Sequence, residues 1–302
     1  MYYIVYGFLY LFSLLPFFIL YALSDVVAFF LYYVFGYRKK IVLSNLSIAF
    51  PEKSMQEKTK IAKQFYRNLT DTFIETIKLI SLSDKSFDKR CTIDIKEVNE
   101  MAARGAKIQF HSGHQMNWEY QNWILARHLT IPWIGIYQPI SNKALNKVFY
   151  QLRGRQKTIL VSTKEFRTKV HQLFRNQYAI GLAADQNTSP ATGYWQYFFS
   201  KPAPFIMGPE KGAIKNKTAV VFFSVVRSKK RGHFHFKNEI ITENAEGMEK
   251  GVLTRMYRDF LERIVTEQPE NYLWTHRRWR HEYTPEQEHN WIDTVPPPVV
   301  NS

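Results

Sequence analysis

The run from Ala106 to Leu129 constrains this chain more than any other stretch. Ala106 to Phe110 is short and apolar and reads as a buried strand. Trp118 to Leu129 reads as a helix. Between them lies the loop His111-Ser112-Gly113-His114-Gln115-Met116-Asn117. A strand that passes through a glycine-containing loop into a helix is where α/β proteins gather chemistry, because loop backbone and helix N-terminus converge there. The loop holds a base candidate, His114, and Glu119 follows five residues later. On one ideal helix five residues rotate by about 140°, so two helical positions would face apart. With His114 on the loop and Glu119 in the first turn, the carboxylate is expected to reach back to the imidazole. A carboxylate on one ring nitrogen sets the tautomer and raises the basicity of the other.

The second constraint is the N-terminus. Tyr3 to Leu23 is an uninterrupted apolar run, and Asp25 is the single charge between Met1 and Tyr37. Such a run suffices to cross a hydrocarbon core of about 30 Å. Val26 to Gly36 is too short to cross again alone. No basic segment precedes the run, which argues against a secretory signal peptide. The first basic cluster, Arg38-Lys39-Lys40, follows it and places the remainder on the cytoplasmic side. The expected organisation is a membrane anchor over 1–36, a catalytic domain over 37–292 and an unstructured, proline-rich tail over 293–302.

Charge and cysteine content narrow the function. Lys and Arg number 41 against 26 Asp and Glu, a net charge of +15, so the partners of this chain are anionic. Aromatic residues make up 16% and are spread throughout, which fits a protein at a membrane interface. The single Cys91 excludes an intrachain disulfide and a multi-cysteine zinc site. No metal is expected: His233 and His235 share a strand face without an evident third ligand, and His111 and His114 do not form a His-Glu-x-x-His motif.

Along the remaining chain, strand and helix patterns alternate. Ser54 and Glu57 form a capping box before a helix with an apolar stripe from Ile61 to Ile80. Ile93 to Val98 reads as an edge strand. Strands are expected at 131–137, 158–161, 178–183, 219–226 and 233–240, with helices at 142–152, 164–177, 205–216 and 247–267. This order specifies an α/β layered domain, a mixed sheet flanked by helices, with an N-terminal membrane helix. Arg153 and Arg155 flank Gly154 and offer a guanidinium for an oxyanion or a phosphate. Asp185-Gln186 stands at a strand end, a usual place for functional side chains.

The ordered set of motifs resembles a known family. His114 and Glu119 resemble the His-x4-Asp/Glu signature of the glycerolipid-type acyltransferases. Ser112-Gly113-His114 with Asn117-Trp118-Glu119 is similar to the late acyltransferases of bacterial lipid A biosynthesis. Arg38, Asn45, Leu46, Phe50 and Pro51 match an early element of that family, Asp185-Gln186 a central one, and Pro269 to Arg278 a terminal one. The likeness spans roughly 37–280. It departs at Tyr137-Gln138-Pro139, where many members carry Arg in the middle. The resemblance implies an inner-membrane acyltransferase with its catalytic domain on the cytoplasmic side. The implied donor is a fatty acyl thioester on acyl carrier protein. The implied acceptor is a hydroxyl on an acyl chain of an anionic, phosphorylated glycolipid. His114, Glu119 and Arg153 would be catalytic; Asn117, Arg155, Asp185 and Gln186 would contact substrate; no cofactor is needed. Two alternatives stand beside it: the same chemistry on another membrane lipid (phospholipid, glycolipid or aminolipid), and a non-catalytic interaction or nucleic-acid-binding protein at the membrane. Scattered cations and the lack of a nucleic-acid module speak against nucleic acid as a partner.

Overall fold

The computed structural model describes residues 1–299. Helices α1 (Tyr2–Leu14), α2 (Phe17–Phe29), α3 (Lys39–Ala49), α4 (Met55–Lys78) and α5 (Asp84–Asp88) precede β1 (Cys91–Ile93) and α6 (Lys96–Ala103). Then β2 (Ile108–Ser112), α7 (Trp118–His128), β3 (Trp133–Tyr137), α8 (Lys143–Gly154), β4 (Ile159–Ser162), α9 (Phe166–Leu173) and β5 (Ala179–Ala183) alternate. A hairpin, β6 (Gly193–Phe198) and β7 (Lys201–Ile206), leads to α10 (Gly208–Asn216), β8 (Ala219–Arg227), β9 (Phe234–Thr242) and α11 (Val252–Glu267).

The main sheet has the order β1-β9-β8-β2-β5-β3-β4, with β8 and β9 antiparallel and the other neighbours parallel. It is covered on both faces, which is why β8 reads as a continuous apolar run. Val221 and Phe223 pack with Phe110, Tyr120 and Trp123 on the α6/α7 side. Val220 and Phe222 face the other way, toward Ala213 of α10 and Leu261 of α11. Ile134 and Ile180 pack on that second side with Phe166 and Phe174 of the α9 segment. Each such side chain taken from water contributes about 1.5–3 kcal/mol.

The mixed α/β sheet with flanking helices agrees with the expectation; four local expectations need correction. The N-terminal apolar run is not one helix. Pro16 forces Leu15 into extended backbone (φ −56°, ψ 142°) and splits the run into α1 and α2. The uninterrupted helical stretch is instead Phe17–Val34, with a wider π-helical turn over Phe30–Val34. Its length and composition suit a membrane crossing. One side of it is buried, through Leu20, Tyr21, Ser24, Ala28 and Tyr32. Ser24 donates to Asp71 of α4 at 2.7 Å, and Tyr21 to Glu75 at 2.8 Å. Phe18, Val26, Val27, Phe29, Phe30 and Val34 stay exposed.

Second, Lys96 begins a helix, so strand β1 stops at Ile93. Third, the start of the helix expected at 205–216 belongs to β7, which pairs with β6. Pro202 and Pro204 occupy alternate positions there, as an edge strand allows. Fourth, the tail is tied down where it begins: Asp293 accepts from Arg258 at 2.9 Å, and Val295 from the Trp291 indole at 2.8 Å. Positions 300–302 of the expected tail lie outside the described residues.

Candidate active site

The site is set by register. In the parallel pair β2–β5, Ser112 lies opposite Ala183. Two residues beyond each, His114 and Asp185 leave the carboxyl edge of the sheet side by side. The His114 Nδ1–H donates to Asp185 Oδ1 at 2.6 Å, and the His114 backbone N–H donates to Oδ2 at 2.9 Å. The Asp185 side chain is 1% exposed, that of His114 28%. Burial alone would raise the Asp185 pKa, but the imidazole charge and its hydrogen bonds outweigh it and hold the carboxyl below its usual range. Burial likewise lowers the His114 pKa, and the Asp185 charge more than reverses this, so the net shift is upward.

This corrects the expected pairing. Glu119 lies in the first turn of α7, but its carboxylate turns to Arg153, which donates from Nε to both oxygens at 2.9 and 3.0 Å. Asn117 explains the divergence. It adopts left-handed backbone (φ 71°) as the N-cap of α7, so the chain changes direction between His114 and the helix. The Asn117 side chain does not face a cavity. It is fully buried and donates to Glu75 Oε2. The Glu75 carboxyl is pushed up to about 7, by burial first, with the nearby Asp71 adding to it and Arg227 opposing.

Of the two candidate arginines, Arg153 faces a cavity and Arg155 does not. Arg155 donates to the carbonyls of Leu79, Ile80 and Leu82 at 3.0–3.4 Å, closing the end of α4. Gln186 lines a cavity beside His114. Gln138 accepts from Thr163 at 2.6 Å. His111 is buried next to Gln109 at 3.0 Å, and burial lowers its pKa to about 3. His233 and His235 bond to different partners, the Arg231 carbonyl and Thr92.

Two cavities meet at His114. One, of about 820 Å³, lies on the α9/α10 side and is walled by Ile136, Phe166, Val170, Phe174, Ile180 and Leu182. The other, of about 330 Å³, lies on the α7/α8 side and contains Trp118, Glu119, Trp133 and Arg153. His114, Gln138 and Leu182 border both. A Cβ at Gly113 would come within 2.7 Å of Leu261 Cδ2, so a larger residue at this junction would displace that side chain.

The early and terminal motifs turn out to be scaffold for this loop. Leu273 N–H donates to the His114 carbonyl at 3.0 Å, and Met116 N–H to the Asn271 carbonyl at 2.8 Å. The terminal segment is held in turn by Asn45, which donates to the Trp274 and His276 carbonyls at 2.8 and 2.7 Å, and by Arg38 on the Thr275 carbonyl at 3.0 Å. Arg278 is 1% exposed and stacks over Phe205 and Phe198, 4.4 and 5.2 Å from their centroids. Its Nε and Nη2 find no hydrogen-bond partner among the described residues. Sequence reasoning met Arg278 only as the last residue of the terminal motif, and it did not single out Glu75 or the Asp185–His114 pairing. The signal for the last was Asp-Gln at a strand end.

A histidine bonded to a buried aspartate between two cavities, at the carboxyl edge of a mostly parallel sheet, is an arrangement of the α/β class that suits proton transfer. The sequence profile of the bacterial lipid A biosynthesis acyltransferases matches residues 1–281, and the chain belongs to that family: it is an acyltransferase. It is 23% identical over 255 residues to the lipid A biosynthesis palmitoleoyltransferase of Escherichia coli (strain K12), covering 80% of this chain and 79% of that protein. A lipid A biosynthesis acyltransferase of Shigella flexneri shows the same identity and coverage.

Proposed function

We propose that this chain transfers a fatty acyl group from an acyl carrier protein thioester to a hydroxyl of a lipid A precursor, at the cytoplasmic face of the inner membrane. The observation that carries the mechanism is the 2.6 Å contact between His114 Nδ1 and Asp185. With Nδ1 held, Nε2 is the free nitrogen and acts as the general base. It removes the proton of the acceptor hydroxyl as the oxygen attacks the thioester carbonyl. The tetrahedral oxyanion then collapses, the C–S bond breaks, and the imidazolium returns its proton to the departing thiolate. Ester and free thiol leave the histidine neutral again. Arg153, held by Glu119, supplies positive charge beside the reacting centre for the oxyanion or an acceptor phosphate.

The larger, apolar cavity suits the donor chain, and its size is ordinary for a ligand site. The smaller one, with the Arg153 guanidinium, suits the anionic acceptor. Membrane residence is supported by the exposed apolar side chains of α1 and α2.

The test is transfer from a labelled acyl carrier thioester to a tetraacylated lipid A precursor, wild type against His114→Ala. Wild-type transfer that is lost in the variant supports both class and site. Transfer to another membrane lipid instead would overturn the acceptor, and unchanged turnover in the variant would overturn the base.

A further inference from the structure

The rim of the larger cavity carries cations that the chemistry at His114 does not use. Helix α9 has an apolar side, Phe166 and Val170, which walls the cavity. Its outer side and the approach to it carry Lys164 and Arg167, both exposed. Across the mouth, α10 presents Lys211 and Lys215 one turn apart, also exposed. None of these four makes an ion pair among the described residues. The nearby acidic groups are already engaged: Glu165 pairs with Lys169 at 2.8 Å, and Glu210 is buried against Gly251 and Thr254. Arg175 and His171 add further positive or protonatable groups at the cavity edge. The result is two short basic stripes flanking one apolar opening.

We infer that this rim is the docking surface for the acidic carrier protein that delivers the acyl thioester. The inference rests on the donor proposed above. Two arrangements favour a protein over a lipid phosphate. First, the cations lie on two separate segments, Lys164 just before α9 with Arg167 in it, and Lys211 and Lys215 on α10, so a single phosphate cannot engage all four at once. An acidic helix laid across the mouth can. Second, the rim is on the opposite side of the sheet from α8, the helix that α1 contacts: Lys147 of α8 sits 4.3 Å over the Tyr2 ring. No residue of α1 or α2 lines the larger cavity. The carrier therefore approaches from water while the apolar helices meet the bilayer. Complementary charge of this kind speeds encounter and sets orientation, so its loss should appear mainly as weaker capture.

The test uses the full chain in detergent, with Lys164→Glu, Arg167→Glu and Lys211→Glu combined; none of these side chains lines the cavity. Three readouts are compared: binding of a fluorescently labelled carrier, KM for the acyl carrier thioester, and turnover of a neutral acyl-pantetheine. The expected result is carrier binding weakened about tenfold or more at low salt, a matching rise in KM, and acyl-pantetheine turnover unchanged. Unchanged carrier binding would overturn the docking surface. So would an equal loss with acyl-pantetheine, which would point to a damaged cavity, or a rise confined to the KM of the phosphorylated acceptor, which would make the rim a lipid site. Wild type that bound the carrier through these residues yet transferred no acyl group would uphold the docking surface and overturn the proposed donor.

Discussion

Two charged pairs stand at the carboxyl edge of the sheet, and they are built differently. His114–Asp185 joins a titratable base to a carboxylate that is 1% exposed, through one short side-chain bond and one backbone bond. Glu119–Arg153 joins two side chains by a forked contact and borders only the smaller cavity. The first pair leaves a ring nitrogen free and can cycle a proton. The second holds a permanently charged guanidinium in place. On the proposed mechanism, the residues of a single sequence signature would thus be divided between two jobs, moving a proton and presenting a fixed charge.

The comparison is tested hardest at His114. Replacing it with Ala should lower kcat by about 10³-fold with retained far-UV circular dichroism, since general-base catalysis is typically worth about 10²–10⁴-fold. An active variant would remove the first pair from the mechanism. Asp185→Asn should cost about 10²-fold at pH 7. It should also move the acid limb of the pH–rate profile to lower pH. The sign follows from the structure: Asp185 raises the His114 pKa, the base works only when neutral, and loss of the carboxylate lets it become neutral at lower pH.

Glu119→Gln sharpens the contrast. It should cost about tenfold, through a less firmly held Arg153, and leave the acid limb where it is. Were the limb to shift as in Asp185→Asn, Glu119 would be acting on the histidine and the division of labour would fail.

The first pair should also leave a mark on stability. Asp185 is shifted down, so its contribution is present above its unfolded pKa of about 4 and lost as pH falls through the folded value. His114 is shifted up, so its contribution is full below its unfolded pKa of about 6.5 and lost as pH rises through the folded value. The pair therefore stabilises most between about pH 4 and 6.5. Urea midpoints of wild type and the His114→Ala/Asp185→Asn double variant should differ most in that window; a gap that stays constant with pH would contradict the coupling. The smallest effect is expected outside both pairs. Arg155→Gln should destabilise by about 1–2 kcal/mol, from lost hydrogen bonds to the end of α4, with kcat unchanged.

Much of the architecture was legible from residue patterns. Short continuous apolar runs located the strands β2, β5 and β8, because burial on both faces leaves no polar alternation. Ser54 and Glu57 do form the capping box at the start of α4. The Pro16 break is equally present in the sequence, but hydropathy does not register it: the run stays apolar while the ring interrupts its backbone. The hairpin of β6 and β7 was obscured by its two prolines, which a strand tolerates only at an edge.

The sequence by itself determined the parts: a strand–loop–helix with His114 at its turn, an acidic strand end at Asp185, an arginine near the end of α8 and an apolar N-terminus. Only the tertiary structure decided which carboxylate serves the histidine. Sequence spacing favoured Glu119, five residues away. The parallel register of β2 with β5 brings Asp185, 71 residues away, to 2.6 Å. Left-handed backbone at Asn117 meanwhile turns the helix that carries Glu119 toward Arg153. Local order limits what a side chain can reach along its own segment. Pairing between distant strands, set by burial of both sheet faces, selects the partner it meets.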